Sequence, residues 1–128
     1  MLENKINEFI AAQDGNTAVY VKNFKTNQEI KINEKMLFPS ASTIKLTIMA
    51  EIFRRVDRGE LNLDDKIEIN ENMETGGDGI LKELDYGHRF TIREIMTLMI
   101  ILSDNMATNI LIDLLGMDRV NKTIKELG

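Results

Sequence analysis

A single lysine interrupts an otherwise uncharged run of this sequence. Between Lys35 and Glu51 the only charged residue is Lys45, and most residues around it are apolar. Burying a cation among apolar side chains is costly unless polar groups meet it. The chain must therefore fold so that such groups surround this amine, and Ser42 stands three residues before it.

A second polar island, of opposite charge, follows later in the chain. Asp104 is the only charged residue in the range 95–112, and it lies between a serine and an asparagine. Two polar islands in apolar helical sequence predict a single active site. The side chains predicted to meet there are those of two serines, a lysine and an asparagine: Ser42, Lys45, Ser103 and Asn105.

A serine and a lysine spaced i, i+3 on one helix face can form a nucleophile and its base, because their side chains are neighbours. Burial disfavours the charged form of an amine, and a neutral amine can take the proton of a serine hydroxyl. A serine at a helix start also directs its backbone N–H at bound anions, which suits one half of an oxyanion hole. The spacing alone is common, so the prediction depends on the apolar setting and on the second island.

Composition argues against several other classes of function. A net charge of −5 disfavours nucleic acid as a partner, and the chain has no cysteine for thiol catalysis or metal binding. The one histidine, His88, stands in a polar loop and is interpreted as a surface residue. The glycine-containing segment 77–82 lacks the features of a nucleotide loop, and the acidic segment 64–71 lacks those of a calcium loop, so no cofactor or metal is predicted. No run is apolar enough to span a bilayer, and the first residues lack the apolar region of a signal peptide.

Hydrophobic periodicity predicts five helices and one β-hairpin. The first helix is expected to end near Gly15, and the helix after Pro39 is expected to begin at Ser42. The form Thr91-x-x-Glu94 predicts a capping box, and the run 95–102 after it is apolar on all sides, which predicts a helix buried all round. The remaining predicted elements are strands at 17–24, 28–33 and 66–69 and helices at 106–115 and 118–127.

Together the two motifs resemble those of the class A β-lactamases and the related penicillin-binding serine hydrolases. The segment Phe38–Lys45 looks like the nucleophile segment of that family, and Met99–Asn109 looks like its Ser-Asp-Asn segment with the helix that follows. The hairpin and the turn at 76–81 are similar as well. The resemblance covers nearly the whole chain.

The resemblance implies a role for each candidate residue. Ser42 would be the acylated nucleophile, and Lys45 its activating base or proton relay. Ser103 would pass a proton between Lys45 and the lactam nitrogen. Asn105 would hydrogen-bond the side-chain amide of the substrate and help to hold Lys45, whereas Asp104 would be structural and anchor backbone through its carboxylate.

Two motifs of that family have no match in this chain. Lys122-Thr123 is followed by isoleucine in a helical stretch, so it is not the family's Lys-Thr/Ser-Gly motif, and the Glu-x-x-Leu-Asn segment is absent too. The resemblance therefore implies the N-terminal half of the β-lactamase/transpeptidase-like fold, an α+β and mostly helical fold with an incomplete sheet. Residues 1–38 would supply the helix and hairpin of the α/β layer, and residues 39–128 the helical layer. The missing C-terminal half or an oligomer is expected to cover the hairpin edge.

The function implied is that of a serine hydrolase which opens β-lactam rings, with a β-lactam or a peptidoglycan peptide as substrate. Three alternatives stay open: a D,D-peptidase or penicillin receptor, a non-catalytic protein-interaction domain of the same fold, and a glutaminase-type amidase. The 128-residue chain is expected to be inactive by itself, because the family takes half of its oxyanion hole from a strand absent here. The family is usually exported, and the compartment of this protein stays open.

Overall fold

Residues 1–39 form a helix followed by a β-hairpin in the computed structural model, which describes all residues 1–128. Helix α1 spans Leu2–Ala11, so it ends earlier than predicted, and Gly15 with its φ of +98° belongs to the turn that follows. Strands β1 (Val19–Lys22) and β2 (Glu29–Ile32) pair antiparallel, as predicted. No residue of this unit is buried.

Residues 40–128 form a second compact unit, made mainly of helices. A single 3-10 turn over Ala41–Thr43 leads into α2 (Ile44–Asp57), so the α-helix begins two residues after the predicted start at Ser42, which lies in the turn. The other helices are α3 (Ile92–Ile101), α4 (Asn105–Leu115) and α5 (Met117–Leu127). Strand β3 (Lys66–Glu68) pairs antiparallel with β4 (Arg89–Thr91), a strand that the sequence did not predict.

The predicted fold class is confirmed: the protein is α+β and mostly helical, with small, incomplete sheets. Its buried apolar core lies within residues 40–128, where α2, α3 and α4 pack together and α5 adds one side chain, that of Val120. The fully buried members with the largest side chains are Ile48, Ile52, Ile69, Leu81, Ile92, Ile95, Met99, Met106 and Leu111. None of the helices combines the length and apolar character needed to cross a lipid bilayer.

The capping box predicted at Thr91 is confirmed. The Thr91 hydroxyl accepts the Glu94 backbone N–H at 3.1 Å, and the Glu94 carboxylate accepts the Thr91 N–H at 2.7 Å. These bonds hold the pKa of Glu94 below its usual value, because they favour the ionised carboxylate. The box fixes where α3 begins, and thereby where its other end presents residue 103.

The prediction that α3 is buried on every side is wrong. The face formed by Ile92, Ile95 and Met99 is buried, but Ile101 is 68% exposed and Leu102 is 48% exposed. In this unit α3 packs against α2, α4 and β4, and these contacts leave its C-terminal apolar residues exposed. An apolar run without periodicity cannot indicate which faces are covered, because that depends on the packing partners.

A buried carboxylate joins α2 to α5. Glu51 accepts hydrogen bonds from Thr123 Oγ1 at 2.6 Å and from Arg55 Nε at 3.1 Å, and Arg58 lies 3.5 Å away. Burial raises the pKa of Glu51, but the hydrogen bonds from Thr123 and Arg55 and the nearby positive charges outweigh burial and lower it. This cluster holds the C-terminal half of α2 in place.

Candidate active site

The amine of Lys45 is buried and lies among four oxygen atoms. Its side chain projects from the first turn of α2, and the residue is only 5% exposed. Nζ lies 2.6 Å from Ser103 Oγ and 2.7 Å from the Ser103 carbonyl oxygen. Ser42 Oγ and Asn105 Oδ1 are further away, at 3.3 and 3.4 Å. The costly burial that the sequence indicated is thus offset by polar partners.

The two serine hydroxyls also meet each other. Ser42 Oγ and Ser103 Oγ lie 2.9 Å apart, and each is within hydrogen-bond distance of the same amine. Ser42 is exposed, so its hydroxyl is accessible from solvent. The structure therefore brings together the serine, lysine, serine and asparagine side chains named from the sequence.

Strained backbone flanks both serines. Ala41, directly before Ser42, has a φ of +44°, and Ser103 itself has a φ of +56°. Residues with a Cβ adopt this left-handed region at a cost of about 1–2 kcal/mol. Strain of this kind concentrates at functional sites, where the surrounding contacts enforce it. Here the strained residues lie where Ser42 precedes the start of α2 and Ser103 follows the end of α3, and both hydroxyls meet the amine of Lys45.

Asp104 is fully buried and binds backbone rather than the amine. One carboxylate oxygen accepts the Ala107 N–H at 2.8 Å and so caps α4. The other accepts the N–H groups of Ile80 at 2.7 Å and Leu81 at 2.9 Å. These bonds hold the loop that precedes Leu81 against the turn between α3 and α4.

That loop is the part of the site that sequence reasoning missed. Asp78 accepts the backbone N–H of Asn105 at 2.9 Å, and Gly77 packs against the Asn105 side chain. The available signal was the run of glycines at 76, 77 and 79, which permits close approach of backbone. The segment was noted as part of a family resemblance, but no residue in it was assigned to the site.

The chain offers no cluster for a metal ion, since no group of three or more His, Asp or Glu side chains converges. His88 is exposed and lies in the turn before β4. The site itself presents two hydroxyls, an amine and an amide. Such a set can activate a serine for attack on a carbonyl carbon.

Comparison with known proteins identifies the family to which the chain belongs. The profile of the β-lactamase enzyme family matches residues 1–128. The chain is similar to β-lactamase VEB-1 of Pseudomonas aeruginosa, with 30% identity over 88% of this chain and 38% of that protein. It is also similar to β-lactamase BRO-1 of Moraxella catarrhalis, with 31% identity over 100% of this chain and 42% of that protein. The chain thus spans about two fifths of the length of these relatives.

Solved structures show the same relationship. A β-lactamase from Sphaerobacter thermophilus is 38% identical, with a TM-score of 0.80 over 87% of this chain and 41% of that one. PBP-A is 29% identical, with a TM-score of 0.88 over 98% of this chain and 48% of that one. The chain therefore belongs to the β-lactamase enzyme family and corresponds to an N-terminal portion of the class A β-lactamase and penicillin-binding fold.

Proposed function

We propose that the full-length protein opens β-lactam rings through an acyl-enzyme formed on Ser42. The main support is the position of Lys45, a buried amine within hydrogen-bond distance of two serine hydroxyls. Family membership points to the same substrate class. Because the chain spans about two fifths of its curated relatives, the activity is proposed for the whole protein.

In the proposed acylation step, Ser42 Oγ attacks the lactam carbonyl carbon while its proton passes to the neutral amine of Lys45. The bond between the carbonyl carbon and the lactam nitrogen breaks as the tetrahedral intermediate collapses. Ser103 donates its hydroxyl proton to the departing nitrogen and recovers a proton from the Lys45 ammonium. The site then holds an ester on Ser42 and a neutral lysine, so protons and charge balance.

Asn105, the Ser42 backbone and Asp104 are proposed to support this step in different ways. Asn105 is proposed to hydrogen-bond the side-chain amide of the substrate while its Oδ1 faces Lys45. The backbone N–H of Ser42 is proposed to supply half of the oxyanion hole, since it lies at the start of a helix. Asp104 contacts neither the amine nor the hydroxyls, and it is proposed to act only by holding backbone.

Intact-mass measurement tests the acylation directly. When the reaction is quenched during turnover, the full-length protein should gain the mass of one penicillin, and Ser42→Ala should gain none. Ser40→Ala is the matched control, because Ser40 is an exposed serine two residues away that bonds only its neighbouring backbone. Lys45→Ala should slow acylation by about 100-fold or more, the usual effect of losing a general base. An adduct on Ser42→Ala would refute the assignment of the nucleophile.

A penicillin receptor or D,D-peptidase is the second candidate. PBP-A matches this chain closely, and one solved structure that matches it is an acyl-enzyme complex of a PBP-A mutant with penicillin G. Both candidates acylate the same serine and differ in how fast the ester is hydrolysed. Rapid turnover of nitrocefin would support the lactamase, whereas an adduct that persists for hours would support the receptor or peptidase.

The 128-residue chain by itself is expected to turn over no nitrocefin. The proposed oxyanion hole has one donor here, and removing one such donor typically costs a factor of 100 or more in rate. The β1–β2 hairpin is a two-stranded sheet, which is marginal alone, so we propose that further strands or a second copy cover its edge. Measured turnover by the isolated chain would contradict the expected inactivity. A monomeric full-length protein whose hairpin edge is uncovered would contradict the proposed coverage of that edge.

A further inference from the structure

A glycine lies directly against the amide of Asn105. A Cβ built on Gly77 falls well under 3.0 Å from Asn105 Nδ2, a distance that real Cβ atoms essentially never show. The nearest atoms are all in the Asn105 side chain: Nδ2, Cγ and Cβ. Any side chain at position 77 would therefore displace this amide.

The surrounding loop holds Gly77 in place from three sides. Lys82 Nζ donates to the Gly77 carbonyl at 2.7 Å, and the next carbonyl, that of Asp78, accepts the Asn105 N–H at 2.9 Å. Asp104 accepts the N–H groups of residues 80 and 81. The backbone around Gly77 is thus held by hydrogen bonds, so the Asn105 side chain is the part that would have to move.

The oxygen of the Asn105 amide has a partner, the amine of Lys45, whereas its NH2 group has none within this chain. Oδ1 faces the amine of Lys45 at 3.4 Å, while Nδ2 donates to no group of this chain. Rotating the amide away from Gly77 would break the contact with Lys45 and redirect Nδ2. The amide can hold the orientation that leaves Nδ2 available only if residue 77 has no side chain.

We propose that Gly77 is a positioning residue for substrate selection: it keeps Asn105 in the pose that presents Nδ2 to the side-chain carbonyl of a lactam. This inference rests on the proposed function for its substrate. The selection would favour lactams that carry an acylamino side chain over those with a bare amine. Gly77 touches no reacting atom and acts only through Asn105.

The chain contains a matched control for this proposal. Gly87 has a φ of +91°, nearly the same as the +93° of Gly77, but a Cβ at Gly87 would meet nothing within 4 Å. Replacing either glycine with alanine introduces the same backbone strain. Only Gly77→Ala adds a clash with the asparagine.

The first experiment compares penicillin G with 6-aminopenicillanic acid, which lacks the acyl side chain, as acylating agents of the full-length protein. Gly77→Ala should lower the ratio of the acylation rate constant for penicillin G to that for 6-aminopenicillanic acid by about tenfold. This is the effect of losing about 1.4 kcal/mol in one hydrogen-bonded contact. Gly87→Ala should leave the ratio unchanged. A purely structural role would slow both reagents equally, so an unchanged ratio in Gly77→Ala overturns the proposal.

A double-mutant cycle in the full-length protein tests the contact without relying on activity. Gly77→Ala should lower the urea midpoint more than Gly87→Ala does. In an Asn105→Ala background the two losses should become equal, because the clashing atom is gone. The same background should restore folding if Gly77→Ala alone fails to fold. Losses that stay unequal would overturn the positioning contact.

The two experiments separate this inference from the proposed function. A wild-type protein that neither forms an adduct on Ser42 nor turns over nitrocefin refutes the proposed function and the substrate part of the inference. The cycle still decides whether Gly77 positions Asn105. Normal acylation with an unchanged ratio refutes the inference alone.

Discussion

Removing the Asp104 carboxylate should be the most destabilising single change to a polar residue of the site. The carboxylate is fully buried and accepts three backbone N–H groups, those of Ile80, Leu81 and Ala107. In Asp104→Ala these donors lose their partner together. The variant should still fold, with a large part of its stability lost.

The expected cost follows from the three orphaned donors. Each buried N–H left without a partner costs about 1–3 kcal/mol, and the loss of a helix N-cap alone costs about 1 kcal/mol. Water entering the space of the carboxylate would satisfy part of this set, so we expect a total near 4 kcal/mol. A domain of this kind has about 5–15 kcal/mol in all. With an m-value of about 2 kcal/mol per molar urea, the midpoint falls by about 2 M.

Urea unfolding followed by circular dichroism measures this loss in the full-length protein. Asp113→Ala is the control, because Asp113 lies on the same helix, is exposed and binds no group through its side chain. Asp104→Asn should fall between the two, since one amide oxygen can replace one carboxylate oxygen but not both. If Asp104→Ala unfolds within about 0.5 kcal/mol of the control, the reasoning that this carboxylate anchors the loop is refuted.

Three further predictions use the same unfolding assay. Gly79→Ala should lower the free energy of unfolding by about 2–3 kcal/mol, because its Cβ would lie 2.5 Å from Asp104 Cγ. Gly59→Ala is the control and should cost about 1 kcal/mol, since Gly59 has a positive φ and open space around it. Equal losses in the two variants would contradict the clash. Thr91→Ala should cost about 1 kcal/mol through loss of the capping box, and an unchanged midpoint would contradict it. Glu51 has a folded pKa below its ordinary 4.5, so its contribution is present above that pH and is lost as the pH falls through the folded value. The stability difference between wild type and Glu51→Gln should therefore shrink in acid, and a difference that grows there would contradict the sign.

The sequence was informative about the site where an isolated polar group had to be explained. Lys45 and Asp104 each stand alone in apolar sequence, and a lone charge in such a setting must find partners. The i, i+3 spacing of Ser42 and Lys45 then placed their side chains together by helix geometry alone. Helix starts were also predictable where a cap was explicit, as at Thr91.

The sequence was uninformative where the outcome depended on distant partners. Asp104 accepts the backbone N–H groups of Ile80 and Leu81, which precede it by more than 20 residues in the chain. Backbone donors have no signature in a sequence, so these contacts could not be predicted. The exposure of Ile101 and Leu102 was missed because an all-apolar run does not identify the covered face. The pairing of β3 with β4 joins segments of three residues each, too short to show a period.

The arrangement around Lys45 suits an amine that changes its protonation state during the proposed reaction. Two of its four neighbours, the Ser103 carbonyl oxygen and Asn105 Oδ1, can only accept hydrogen bonds. The other two are hydroxyls, which can accept from an ammonium or donate to the lone pair of a neutral amine. In the neutral state two N–H groups serve the fixed acceptors and the lone pair faces a hydroxyl. Ser42 Oγ lies 3.3 Å from Nζ, so in the proposed reaction its proton can pass directly to the amine, and Ser103 Oγ, 2.6 Å from Nζ, is placed to carry a proton from the amine to the departing nitrogen.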